Sequence, residues 1–463
     1  MSNGLRARAA AARSGLERAR TWRRRQWRRA GLGAVTLGCA GALAACGGGG
    51  DGDLVSLDRI GKEDAKNSFT LEMNAGFSPQ ASTPSFAKGF TDLYTRWAEK
   101  HPDWKINLTI IPDAAGTENQ AKLLEKARVG RAPDCASVDS FTLPLFINEK
   151  VLQPIGQYFT KAEIAALVPF ARDIMTGPDG KLYAWWWQTD LRALYRRTDL
   201  VPEAPRTWDE LIAAAKAAKQ KDPSVDGYLF NGGRWEGTTF DNLAHFWSQG
   251  GELVDKAGNP IFAEGKNREY MLNVFRFLKR TVDEGAAPER VVTIKDYNEF
   301  LKSAQSQKVA MFQGGSFQYP TMEETLPPDE FKKWEVSALP AMQEGQEATG
   351  TGGWTIGALT KDPKKAEMCM SLVKEIYVGG GNRVTNGLPT SEKIFAEDPT
   401  FQKPIFAKFR EFLPAGRARP GVPIYPEMSN QLQVAIGDVL TGQRTPEQAL
   451  DAAKQAVDRA AGR

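Results

Sequence analysis

Phe69-Thr70-Leu71-Glu72-Met73 alternates apolar and polar residues, and Ile106-Asn107-Leu108-Thr109-Ile110 repeats the pattern. A period of two turns one side of a strand inward. Between the two runs, Phe86, Phe90, Leu93 and Trp97 recur at helical spacing and place one apolar stripe on a helix. A second helix is predicted around Asn119 to Gly130, followed by a short strand behind Pro133, Cys135 to Asp139, and another helical stretch through Phe146. This β-α-β-α-β order implies an α/β fold with a largely parallel sheet covered by helices on both faces. In such open sheets ligands lie outside the carboxyl ends of the strands. The loops after Met73, Ile111 and Val138 are therefore the first places to look for a site. Asn74 and Phe77 become binding candidates on that ground alone.

Downstream the same logic recurs. Leu191 to Tyr195 reads as a strand, and Thr207 is a natural N-cap for the Ala/Lys-rich helix opened by Trp208-Asp209-Glu210-Leu211. Helical patterns at Asp241 to Gln249, Tyr270 to Asp283 and Tyr297 to Ser306 lead to a strand at Val309 to Phe312. No fixed period links the halves, so a solenoid or propeller is unsupported. Roughly 395 residues from Ser68 onward suggest two cores.

Upstream, residues 1–29 hold ten Arg and one Glu, and Ala30 to Ala45 is uncharged and small or apolar. That stretch is shorter than the roughly 20 apolar residues a membrane-spanning helix needs, so the pair reads as the basic and apolar regions of a signal peptide. Leu43-Ala44-Ala45-Cys46 matches the lipobox of bacterial lipoproteins, in which the cysteine thiol accepts a diacylglycerol before the preceding peptide bond is cut. Residues 1–45 are thus expected to be a removed leader and Cys46 the lipidated first residue of an extracytoplasmic, membrane-anchored protein. The Arg23-Arg24-Arg25-Gln26-Trp27-Arg28-Arg29 run leaves twin-arginine export open beside the general route. Residues 46–67, with Gly47 to Gly50 and little apolar content, are expected to form a flexible tether.

Charge and cysteines narrow the function. The whole chain carries a formal +4, but losing the leader's surplus of nine leaves the mature part near −5. No basic cluster remains to track phosphates, which argues against a nucleic-acid partner. Of the four cysteines, only Cys135 and Cys369 survive as thiols, and their apolar settings favour two buried free thiols over one bridge. With two His in the chain, neither a metal site nor a cofactor is expected.

Ordered segments carry a family resemblance. Gly130-Arg131-Ala132-Pro133-Asp134 through Asp139, Lys181-Leu182-Tyr183-Ala184 through Asp190 and Ala193-Leu194-Tyr195, and Pro205-x-Thr207-Trp208 come first. Lys308-Val309-Ala310-Met311 with Gly314-Gly315-Ser316-Phe317, Gly352-Gly353-Trp354-Thr355-Ile356, and Gly387-Leu388-Pro389 follow. Arg419-Pro420 to Tyr425 and Gly442-x-x-Thr445-Pro446-Glu447-x-Ala449-Leu450 close the set. Together they resemble the bacterial extracellular solute-binding proteins that deliver sugars to ATP-driven importers, in the maltose- and trehalose-type branch. The resemblance implies a two-lobe periplasmic-binding-protein-like fold with strand hinges and an interlobe cleft. It implies a monomer that binds a small carbohydrate and meets the permease subunits of an ABC transporter with a cytoplasmic ATPase. Matching positions put the first crossing between lobes near Trp185 to Asp190 and the return near Trp334 to Pro340. The amino-terminal lobe then takes residues 68–187 plus 341–390, and the carboxyl-terminal lobe 188–340 plus 391–463.

A sugar offers apolar C–H faces and a belt of hydroxyls, so its site needs flat aromatics and hydrogen-bonding rims. Trp185-Trp186-Trp187 lies at the expected hinge, where alternation turns Trp186 opposite to Trp185 and Trp187, each of which either faces the cleft or packs the hinge. The resemblance implies sugar-binding carboxylates at Asp139 and Asp190, with helix capping as their other reading, and a stacking aromatic at Phe317. Trp354 follows two glycines that let backbone approach a ligand closely. Arg419 suits either vicinal hydroxyls or a salt bridge across the lobes. Trp235, in a Gly-rich loop, is a candidate by composition alone. Three other readings stay open: a glycan hydrolase using Asp139, Asp190 and Glu236 as paired carboxylates, a surface adhesin or structural lipoprotein without a soluble ligand, and a receptor for a polyol or peptide.

Overall fold

The computed structural model describes residues 54–112 and 116–463, so the leader and Cys46 lie outside the described residues. In the first lobe, β1 (Arg59–Ile60) pairs antiparallel with β3 (Trp104–Ile111), and β2 (Asn67–Asn74) lies parallel between β3 and β4 (Cys135–Asp139). Phe69, Leu71 and Met73 of β2 are fully buried, as the alternation requires. Glu72, between them, is also buried, because Lys126 and Asn119 of the helix Gly116–Arg128 reach over to its carboxylate. Helices cover both faces. On one, Phe90, Leu93, Tyr94 and Trp97 of the helix Pro84–Lys100 form the predicted stripe.

The second lobe is built on the distal half of β5 (Ala184–Arg197), flanked by β7 (Val309–Gly315) and β8 (Trp334–Ser337), with β6 (Asp226–Leu229) parallel to β7. Thr207 caps the helix Trp208–Lys221, its hydroxyl accepting from the Glu210 amide while the Glu210 carboxylate returns to the Thr207 amide. The helix Glu236–Trp247 starts earlier than its apolar periodicity suggests.

Two apolar cores result. One gathers Phe69, Trp97, Val138, Trp185, Trp186, Trp187, Ile356 and Tyr377; the other gathers Leu191, Tyr195, Trp208, Phe275, Phe312, Trp334, Ala348, Leu388 and Tyr425. Among the described residues the chain passes between them three times. β5 crosses between Trp187 and Leu191, β9 (Thr349–Ala358) returns antiparallel beside it, and β10 (Leu388–Pro389) pairs with β5 at Gln188 and Thr189 on the third passage. β9 also pairs with β4 on its other side, so one sheet runs from lobe to lobe.

The structure departs from three expectations. The return crossing is not at Trp334 to Pro340: β8 pairs with β5 at Leu194 to Arg197, wholly within the second lobe, and residues up to Ala348 stay with the second core. The tether does not reach residue 67. Leu54, Val55 and Ile60 suffice to seat a short hairpin on the edge of β3, and Ile60 is fully buried. Cys135 and Cys369 are not free thiols but are joined as a disulfide, their Cα atoms 6.2 Å apart, because the helix Pro363–Leu372 packs beside β4 and seals both sulfurs in the first core.

Candidate functional site

The crossing strands lay out the floor of the site. In the β4–β9 ladder Asp139 stands opposite Trp354, and in the β5–β9 ladder Asp190 stands opposite Gly352. Cross-strand partners share a face, as do residues two apart, so Asp139, Trp354, Gly352 and Asp190 lie on one side of the sheet. Gly352 leaves a hollow there. A Cβ at that position would meet Arg419 Nη2 and the Phe240 ring, each at 2.9 Å.

Arg419 fills the hollow. It follows β11 (Gly416–Ala418), which pairs parallel with β9, and its guanidinium lies between the rings of Phe141 and Phe240, 4.3 and 4.0 Å from their centroids. Nη2 donates to Asp139 Oδ1 (3.1 Å) and Nη1 to Glu236 Oε1 (3.0 Å). Glu236 opens the helix Glu236–Trp247, so Phe240 one turn later shares its face, and the helix N-terminus favours the carboxylate. Tyr425 Oη and Ser429 Oγ donate to Glu236 as well, at 2.7 and 2.5 Å. The arginine thus ties β4 of the first lobe to the second. Burial pushes the Asp139 carboxyl up to about 6; Arg419 opposes this, while Glu236 and Asp190 add to it. Arg419 itself is held above its ordinary range, since Asp139 and Glu236 outweigh burial.

A second arginine repeats the device two residues after Asp190. Arg192 Nη1 donates to Asp190 Oδ1 (3.0 Å), Nη2 to Tyr297 Oη (2.9 Å), and Nε to the buried Asp241. Asn231 and Tyr297 complete the hydrogen bonds to Asp241. Beside this network Trp235, Tyr297 and Phe317 meet edge to face, 5.0 and 5.2 Å between successive centroids, each partly exposed. Gly237 and Gly315 make room for the Trp235 and Phe317 rings.

The structure therefore brings Asp139, Asp190, Trp235, Phe317, Trp354 and Arg419 to one region. It does not bring Trp185 or Trp187 to that region. Trp185 stacks on Phe159 at 3.9 Å, and Trp187 packs edge-on against Phe77 and leans on Tyr377, both indoles lying in the first core. Strict alternation fails because the β5–β9 register slips between Trp186 and Gln188, and the Trp186 indole bonds back to the Gln188 carbonyl. Phe77 is occupied by that Trp187 contact, and Asn74 is buried at the carboxyl end of β2. The glycines before Trp354 also serve the protein more than a ligand. Gly352 admits Arg419, and Gly353, at φ +151°, lets β9 close on the Gln188 carbonyl and the Trp186 indole.

Sequence reasoning missed Arg192, Tyr297, Phe240, Asp241, Phe141, Tyr425 and Ser429, and weighed Glu236 only as a hydrolase carboxylate. Asp241 carried a legible signal: an acid inside Phe240-Asp241-Asn242-Leu243-Ala244-His245-Phe246-Trp247 needs a buried partner.

Two α/β lobes joined by paired strands, with polar and aromatic groups converging at the crossing, define a solute-binding protein. The profile of the bacterial extracellular solute-binding proteins matches residues 80–375, and the chain belongs to that family. A probable ABC transporter-binding protein of Deinococcus radiodurans is 29% identical over 306 residues, covering 61% of this chain and 70% of the relative. The galactooligosaccharide-binding protein of Bacillus subtilis is 22% identical over 383 residues, covering 80% and 86%. Among solved structures, maltose-bound MalE3 of T. maritima superposes with a TM-score of 0.73 at 22% identity, covering 85% of this chain and 99% of that one.

Proposed function

We propose that this protein captures a carbohydrate between its lobes and presents it to an ABC importer, without acting on it chemically. The observation that carries the reading is the Asp139–Arg419–Glu236 bridge, with the partly exposed rings of Trp354, on a joining strand, and Trp235, next to Glu236. Carboxylates beside aromatic faces suit a ligand with hydroxyl edges and C–H faces. The ligands of the relatives, maltose and galactooligosaccharide, agree in class. Binding contacts from both lobes would favour the closed arrangement over the open one. Cys46 carries lipid in this reading and keeps the receptor, working as a monomer, at the membrane face where the importer lies.

A thermal-shift screen of mono- and disaccharides tests it, since a ligand at 100 times its Kd adds about 2.7 kcal/mol. A shift with a sugar that is recovered intact supports the reading. No shift with any sugar, or turnover abolished by Asp190→Asn, refutes it. Cys46→Ser should release the protein from membranes and leave the sugar shift unchanged.

A further inference from the structure

Both arginines at the crossing are committed to the protein. Arg419 is 4% exposed, covered by Phe141 and Phe240, and its Nη1 and Nη2 point to Glu236 and Asp139. Arg192 is 3% exposed, with Nε, Nη1 and Nη2 all donating to protein oxygens. Neither guanidinium is offered to an incoming group. The carboxylates are the more accessible partners: the side chains of Asp139, Glu236 and Asp190 are 17%, 15% and 19% exposed. Glu236 has both oxygens filled, by Arg419 and Tyr425 on Oε1 and by Ser429 on Oε2. The contacts to Asp139 and Asp190 fall on Oδ1 alone, which leaves Oδ2 of each without a hydrogen bond among the described residues. The open oxygens therefore ask a ligand for donors, whereas the site's donors without a partner among the described residues, Arg419 Nε and Trp235 Nε1, are buried from solvent.

Its charge asks for more than donors. Four carboxylates (Asp139, Asp190, Glu236 and Asp241) face two guanidiniums, leaving two negative charges in excess in a half-dry space. A hydroxyl satisfies an open oxygen but leaves that excess in place. An ammonium does both, through a charge-assisted hydrogen bond. The partly exposed faces of Trp235, Trp354 and Phe317 nearby add the π surface that cations favour. A carboxylate-bearing ligand would meet like charge.

Resting on the carbohydrate reading above, we propose that the cleft prefers a sugar bearing a protonated amine to its neutral counterpart and rejects the acidic one. Calorimetry on the purified mature protein tests this with matched triplets: glucosamine, glucose and glucuronate, the galacto counterparts, and the β-1,4-linked glucosamine dimer beside cellobiose. For a scaffold that binds, the amine form should bind about tenfold tighter, with the preference shrinking at high salt. Asp190→Asn should weaken the amine form by a larger factor than the neutral form, a selective change that general loss of structure would not produce. Neutral forms binding as tightly as amines, or acidic forms binding, overturn the proposal and leave the carbohydrate reading intact. No binding by any member of any triplet or by the wider sugar screen overturns both.

Discussion

Asp139→Asn should move stability and binding in opposite directions. The Asp139 carboxyl rises from 3.8 to about 6, chiefly through burial, with Arg419 opposing and Glu236 and Asp190 reinforcing. Within that window the native state holds a proton that the unfolded chain has released. Stability is therefore highest below the window, falls as pH rises through it, and stays lower above. A shift of two units at about 1.4 kcal/mol each amounts to about 3 kcal/mol. Asparagine cannot ionise and approximates the protonated acid. The variant should match the parent below the window and exceed it by up to about 3 kcal/mol above, a Tm gain of roughly 6–12 °C for a lobe-sized unit. Sugar affinity should fall instead, because a hydrogen bond to a charged group contributes about 1.5–3 kcal/mol, roughly 10- to 150-fold in Kd. Urea melts across the acid-to-neutral range, with calorimetric titration at neutral pH, measure both quantities. If the variant is less stable than the parent at neutral pH, or the two pH profiles run parallel, the Arg419 pair outweighs burial and the reasoning fails.

Three further changes separate the site from its supports. Gly352→Ala puts a methyl against Arg419 and Phe240; it should cost about 1–3 kcal/mol and weaken binding along with stability, as a melt paired with a titration will read. Trp185→Ala empties the Phe159 stack in the first core, so a loss of about 3–5 kcal/mol is expected, with Kd unchanged in the fraction that folds. Cys135→Ser opens a link that spans 234 residues and should cost about 2–5 kcal/mol; mass spectrometry before and after reduction checks the bond itself.

The parts legible in the sequence were those that local spacing controls. Alternation at Phe69 to Met73, the helical stripe through Phe90 and Trp97, and the cap at Thr207 each answer to residues within a turn or a strand of one another. The return crossing was not legible, because β8 and β9 both follow β7 with plausible strand patterns. What separates them is which half of β5 each one pairs with. The disulfide escaped for a similar reason: residues 135 and 369 become neighbours only when the helix after β9 packs beside β4.

The tryptophan cluster shows where counting aromatics misleads. Three consecutive indoles at the start of a crossing strand look like a stacking platform, yet Phe159, Phe170, Phe77 and Tyr377 receive all three inside the first lobe. A strand shared by two lobes needs one end held firmly if its other end is to orient a site, and indoles supply large buried area with few rotatable bonds. Immediately beyond that anchor β5 turns polar, and Gln188, Asp190 and Arg192 follow at alternate positions. The switch from anchored aromatics to Asp190 and Arg192 marks the site more reliably than the aromatics do. The rings beside the site come one at a time from separate segments: Gly237 and Gly315 make room for Trp235 and Phe317, and Tyr297 precedes the helix Asn298–Gln305.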